Sequence, residues 1–137
     1  MDIYADNESK KVIEFILQKL PEADFDIKLA DSTSCIHDTI RAAICGSQTY
    51  LVEGYDERGG VTAKEFNNYD DFFYEILNFI ISYISFAYER NEFLNRDKNI
   101  DFRRLYFDKE VELFKRFGDK YSIRKEKEID DVLVRYP

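Results

Sequence analysis

The chain has 137 residues, of which 35% are charged and 45% hydrophobic, and this balance is typical of a soluble globular protein rather than a disordered one. This length, together with 10 Tyr and 12 Phe, is enough for one hydrophobic core, so we expect a single domain over residues 1–137. The net charge of −8 repels phosphate and anionic lipid, so we expect neither nucleic acid nor a membrane as a direct partner.

The negative charge belongs to the first half of the chain. Residues 1–75 contain 16 Asp and Glu against 7 Lys and Arg, whereas residues 76–137 contain 12 against 13. This asymmetry favours a basic protein partner, and the alternative that acidity only maintains solubility stays open. The 2 cysteines are too few for a disulfide framework, and the start of the chain lacks the apolar stretch that is typical of a secretory signal peptide. We therefore expect a cytoplasmic location.

The first 35 residues predict one helix and one short strand. A helix is predicted over residues 9–20, because apolar side chains recur at helical spacing after a possible N-cap at Ser9, and Pro21 ends it. The acidic stretch that follows has apolar residues at alternate positions from Phe25 to Leu29, which indicates a possible short strand.

The middle of the chain predicts a β-meander. The segments Thr39–Cys45, Thr49–Tyr55 and Val61–Phe66 are rich in β-branched and aromatic residues. A hairpin turn is predicted at Gly46-Ser47, and the sequence "DERGG" at residues 56–60 predicts the second turn. Because these strands follow one another directly, we expect them to pair in antiparallel fashion.

The remainder of the chain predicts three helices. The first runs from Tyr69 to Leu94 and is apolar nearly all round at its centre, although polar residues interrupt it too often for a membrane span. The second begins at Asn99 or Asp101 and runs to Phe117, and the third covers about residues 121–134. The predicted fold class is therefore α+β, with a small antiparallel β-meander packed against a bundle of about four helices.

Two residues of the second of these helices have a predicted structural role. A helical projection from residue 102 places Arg103 and Glu110 inside the apolar arc of the helix, whereas Arg104 falls on the solvent side. A guanidinium that leaves water needs an acceptor, so we expect Arg103 to stack on Phe107 or Phe114 and to pair with Glu110 or Glu57.

No motif in the sequence indicates catalysis or a bound cofactor. Cys35, Cys45 and His37 are the only set that combines a nucleophile with a base, and neither a third member nor an oxyanion-hole motif accompanies them. The acidic segments match no Ca²⁺-loop pattern, and one histidine with two separated cysteines offers no zinc spacing. We expect no enzyme activity, no metal and no cofactor.

Carboxylates are the best candidates for a binding surface. Several of them lie in the acidic stretch after the first helix and along the meander, and on one face they would attract a cationic partner and accelerate its association. The predicted partner-binding residues are Glu22, Asp24, Asp26, Glu53, Asp56 and Glu57.

Four features follow one another along the second part of the chain. These are the turn at Glu57-Arg58-Gly59, the acidic-aromatic helix start at Asp70–Tyr74, the pair Arg103-Arg104 before an aromatic residue, and the terminal helix ending in Pro137. The order of these motifs resembles the sixty-third family of immunity proteins of bacterial polymorphic-toxin systems, and the resemblance spans about residues 40–137. The resemblance implies a cytoplasmic, non-enzymatic protein that binds a cognate toxin domain tightly and blocks it.

Two other functions remain as alternatives at this point. One is a scaffold or regulatory subunit whose partner is not a toxin. The other is an enzyme that uses an acid–base pair drawn from Glu53, Asp56 and Glu57, for which a deep pocket with raised carboxyl pKa values would be the sign.

Overall fold

A computed structural model describes residues 2–30, 39–46, 48–55, 61–92 and 101–137 of the chain. These residues form five strands and four helices, so the α+β class is confirmed. The strands are β1 (Asp2–Ala5), β2 (Asp26–Leu29), β3 (Thr39–Cys45), β4 (Thr49–Tyr55) and β5 (Val61–Phe66). The helices are α1 (Asn7–Gln18), α2 (Tyr69–Glu92), α3 (Phe102–Lys115) and α4 (Asp119–Arg135).

The five strands form one mixed sheet in the order β2-β1-β3-β4-β5. Strands β3, β4 and β5 are antiparallel neighbours at the predicted positions. The predicted antiparallel meander accounts for only part of the sheet, because β1 pairs in parallel with both β2 and β3. The connection from β1 to β2 passes through α1, and a parallel pair requires such a crossover.

Contacts divide the chain into two compact units, Met1–Leu77 and Asn78–Pro137, here called the sheet unit and the helical unit. The sheet unit contains the whole sheet, α1 and the first residues of α2. The helical unit contains the rest of α2 together with α3 and α4. The single domain over residues 1–137 stays a prediction.

In the sheet unit, α1 packs on one face of the sheet. Ile13 and Ile16 of the helix are fully buried. The strand residues that share the covered face are also buried, and they are Ile3, Ala5, Ile40, Ala42 and Val52. An aromatic cluster extends this core, with the rings of Tyr50 and Phe72 5.0 Å apart and those of Phe15 and Phe73 6.4 Å apart.

Helix α1 begins earlier than predicted, because Asp6 rather than Ser9 is its N-cap. The Asp6 side chain accepts a hydrogen bond from the backbone N–H of Ser9 at 2.8 Å. Its second carboxylate oxygen accepts one from the backbone N–H of Ile44 at 2.9 Å. One side chain therefore caps the helix and fixes it to strand β3.

In the helical unit, α3 and α4 pack against each other as a helical hairpin. Leu113, Phe114 and Ile129 are buried between helices. The hairpin turns at Gly118, whose φ of 115° is a backbone conformation that residues with a side chain rarely adopt. Glycine at this position lets α4 begin directly after α3 ends.

Candidate functional site

The acidic residues after α1 lie on the surface at the edge of the sheet. Glu22 and Asp24 are exposed in the segment that leads into β2, and Asp26 is the exposed first residue of that strand. Because β2 is an edge strand, this segment lies at one side of the sheet. Asp26 is opposite Asp2 of β1 in the parallel register, which adds a fourth carboxylate beside the three predicted ones.

Glu53 lies on the same face of the sheet as Asp26 but not next to it. The strand register pairs Asp26 with Asp2, Asp2 with Thr39 and Thr39 with Tyr55, so these four residues lie on one face of the sheet. Glu53 is two positions before Tyr55 on β4. Positions two apart on a strand share a face. Three strand spacings separate β2 from β4, or about 14 Å, so Glu53 and the edge acids form one polar face without forming one cluster.

This polar face is mixed in charge. The hydroxyl of Tyr55 donates to Glu53 at 2.8 Å, and Glu53 is opposite Arg41 in the antiparallel register. Lys28 donates to Asp2 at 3.2 Å. That hydrogen bond, with the charge of Asp2, raises the pKa of Lys28. Glu22, Asp24 and Asp26 are exposed whereas Glu53 is only partly exposed, so these three acids are more accessible to a cation than Glu53 is.

Some of the predicted site residues lie outside the described residues. They include Asp56 and Glu57 of the predicted binding surface, and also Cys35 and His37. Cys45 is described as an exposed free cysteine at the end of β3.

A buried charge network connects the three helices of the helical unit. Glu110 of α3 is only 1% exposed and Lys125 of α4 only 11%, and their charged atoms are 3.0 Å apart. Lys125 also donates to the side-chain oxygen of Asn78 at 2.9 Å, and the hydroxyl of Ser82 donates to Glu110 at 3.2 Å. Asn78 and Ser82 both belong to α2, so the pair has hydrogen bonds to a third helix.

Burial dominates the electrostatics of this network. Removal from water raises the pKa of Glu110, although the charge of Lys125 and the hydrogen bonds from Lys125 and Ser82 oppose the shift. Burial also raises the pKa of the Tyr106 hydroxyl, and the nearby Glu110 carboxylate adds to this shift. A carboxyl with a raised pKa can mark an acid–base site. Here the carboxyl is fully buried against an ammonium group, as in a structural ion pair.

Sequence reasoning identified Glu110 but missed Lys125. Lys125 lies three residues after Ser122 and four before Ile129, and both of these residues are buried. This spacing puts Lys125 on the buried stripe of α4. Extending the helical projection from α3 to α4 would have revealed two opposite charges on two buried faces.

Arg103 has different partners from those expected. Its guanidinium binds both carboxylate oxygens of Asp101, with the shortest distance 2.8 Å, and donates to the backbone carbonyl of Tyr136. The hydrogen bonds raise the pKa of Arg103 and lower that of Asp101. Glu110, about two turns further along α3, instead binds Lys125 and Ser82. Arg103 therefore connects the start of α3 to the end of α4, and the other expected partner, Glu57, lies outside the described residues.

Within the described ranges, no group of three or more His, Cys, Asp or Glu side chains is arranged to hold a metal ion. Among the same residues, no helix combines the length and apolar character needed to cross a bilayer.

The fold and these sites define a class: an α+β protein with exposed carboxylates at a sheet edge and a charge network buried among its helices. A protein-family model described as Immunity protein 63 matches residues 54–131, which is more than half of the chain. The chain belongs to the Immunity protein 63 family. No curated protein and no solved structure matches the chain. Immunity protein families neutralise toxins and are generally non-enzymatic, so membership implies a toxin as the partner.

Proposed function

We propose that this protein is a cytoplasmic antidote that binds one cognate toxin domain of a polymorphic-toxin system and blocks its activity. Family membership carries this proposal, because the match extends from the end of β4 to most of α4. The partner in this proposal is a basic protein domain, and no cofactor takes part.

The charge distribution supports a basic partner. Residues 1–75 have 16 acidic against 7 basic side chains, a balance of −9. Glu22, Asp24 and Asp26 are exposed in one short segment, so a cationic surface can approach them without desolvating a buried group. Attraction between opposite charges of this kind accelerates association and is weakened by salt.

Co-expression tests the function itself. The toxin domain encoded directly before this gene should stop growth when expressed alone, and this protein should restore growth and co-purify with the toxin in a 1:1 complex. If this protein neither binds that domain nor restores growth, the proposed function is wrong.

The electrostatic part of the proposal has its own test. The double variant Asp24→Asn/Asp26→Asn should slow association with the toxin domain by about tenfold at low salt, because rim charges act mainly on the association rate. The control is Glu14→Gln/Glu65→Gln, which removes the same charge from exposed positions of the sheet unit and should leave the rate nearly unchanged. Equal effects of the two variants would show that net charge matters and that these particular positions do not.

A further inference from the structure

The helical unit contains an open groove between α3 and α4. The groove has a volume of about 890 Å³. Apolar side chains form its floor, and they are Phe107, Val111, Ile129 and Leu133. On α3 the lining extends from Arg103 to Lys115, which corresponds to about 18 Å of helix.

The rim of this groove is acidic at its middle, whereas the two ends of its α3 side carry basic residues, Arg103 and Arg104 at one end and Lys115 at the other. Asp108 and Glu112 line it from α3, and Glu126 and Asp130 line it from α4. Glu112 has nearby cations, with Lys109 at 3.5 Å and Arg116 at 3.8 Å. The other three carboxylates form no ion pair with any residue that the structure describes, and all three are exposed.

The lining residues recur at helical spacing on both sides of the groove. Residues 103, 104, 107, 108, 111, 112 and 115 line it from α3, and residues 126, 129, 130 and 133 line it from α4. Two adjacent helical faces with an apolar seam between them are the usual receptor for the apolar stripe of a third helix. The position and length of the groove therefore fit an amphipathic helix.

Charge decides which helix can bind. A second copy of this chain would bring the acidic middle of its own groove against that of the first, and like charges in contact oppose association. A helix with an apolar stripe between Lys or Arg side chains would instead place its cations against Asp108, Glu126 and Asp130. These acids have no other ion-pair partner among the described residues, so a cation would not displace an existing pair.

We propose that the α3–α4 groove binds a basic amphipathic helix of the cognate toxin. This inference rests on the proposed function and assigns that function to a surface of the helical unit. Most of the groove, from residue 101 to residue 130, lies within the segment that the family model matches, whereas Glu22, Asp24 and Asp26 precede that segment.

Adjacent residues of α4 provide matched variants for the test. Asp130 lines the groove and Asp131 does not, although both are exposed carboxylates. Leu133 lines the groove and is 37% exposed, whereas Val134 does not line it and is 81% exposed. Each groove variant therefore has a control that makes the same chemical change one residue away.

The measurement is the dissociation constant of the purified full chain for the toxin domain encoded next to its gene. We expect Asp130→Lys to weaken binding by about tenfold and Leu133→Asp by about 30-fold, as for residues at the centre of an interface. Asp131→Lys and Val134→Asp should change it less than threefold. Thermal unfolding of each variant checks that the fold is retained.

The outcomes separate the two proposals. If the unmodified protein fails to bind the toxin domain, the proposed function fails. If it binds and the groove variants bind as well as their controls, the function stands and the groove inference is overturned. Sedimentation equilibrium of the protein alone tests whether a second copy of the chain occupies the groove. A dimer that Leu133→Asp dissociates would assign the groove to that second copy and overturn the inference.

Discussion

The sheet unit and the helical unit use ion pairs of nearly equal length in opposite environments. In the sheet unit, Lys28 and Asp2 are 3.2 Å apart with side chains 47% and 41% exposed. In the helical unit, Lys125 and Glu110 are 3.0 Å apart with side chains 11% and 1% exposed. Water screens the first pair and hardly reaches the second. The comparison teaches that burial rather than distance determines how much a charge pair matters to the fold.

The largest expected effect is the loss of one partner of the buried pair. Lys125→Met should lower the free energy of unfolding by about 3 kcal/mol, because it leaves Glu110 buried without its cation. Urea unfolding at neutral pH measures this change.

The control for this prediction is Lys28→Met in the sheet unit. Breaking the exposed pair should cost less than about 1 kcal/mol. Equal losses in the two variants would show that burial does not distinguish the pairs, and the comparison between the units would be wrong.

Removing both buried charges should restore most of that stability. The double variant Glu110→Leu/Lys125→Met replaces an ion pair by apolar side chains, and such replacements are often neutral or stabilising in protein interiors. We expect an unfolding free energy within about 1 kcal/mol of the unmodified protein. If the double variant is instead less stable than Lys125→Met alone, the interactions of the Glu110 carboxylate stabilise the fold by more than its desolvation costs.

A smaller effect is expected at the connection between α1 and β3. Asp6→Ala removes the acceptor for the backbone N–H groups of Ser9 and Ile44, so it should lower the free energy of unfolding by about 1–2 kcal/mol. Glu14→Ala, an exposed change in the same helix, should have little effect. A loss as large in Glu14→Ala would mean that the removal of an acidic side chain, rather than of the two hydrogen bonds, explains the result.

The smallest expected effect is a pH dependence that comes from Glu110. Its raised pKa means that the folded protein binds a proton more readily than the unfolded chain does, so its contribution to stability falls as pH rises from the ordinary glutamate range through the raised value. Glu110→Gln mimics the protonated side chain and lacks this dependence. As pH rises through that range, the unfolding free energy of the unmodified protein should therefore fall relative to that of Glu110→Gln. A rise relative to the variant would show that the charge of Lys125 outweighs the effect of burial on the pKa of Glu110.

Local sequence patterns predicted the meander and placed most helical boundaries within about two residues of those observed. Strands β3, β4 and β5 begin and end at the predicted residues, because alternating β-branched and aromatic residues and a glycine turn define them locally. Strand β1 was missed. It has only four residues, and its parallel pairing with two distant strands leaves no pattern within the strand itself.

The candidate sites show the same division. Helical periodicity placed Glu110 on the buried face of α3, but its actual partner came from α4 and its hydrogen bonds from α2. The expected partners of Arg103 were Glu110 and Glu57. The structure instead gives it Asp101, two residues away in the chain, and the backbone of residue 136, which lies beside it only because α3 and α4 form a hairpin.

The sequence by itself determined the α+β class, the meander, the acidic first half and the resemblance to the immunity family, because each of these depends on residues that are close together in the chain. Only the tertiary structure decided the mixed sheet, the partner of Glu110 and the apolar groove with its acidic rim. Those features require distant segments to meet, and the free energy that selects one pairing of distant segments comes from burial and desolvation of the whole surface rather than from any local pattern.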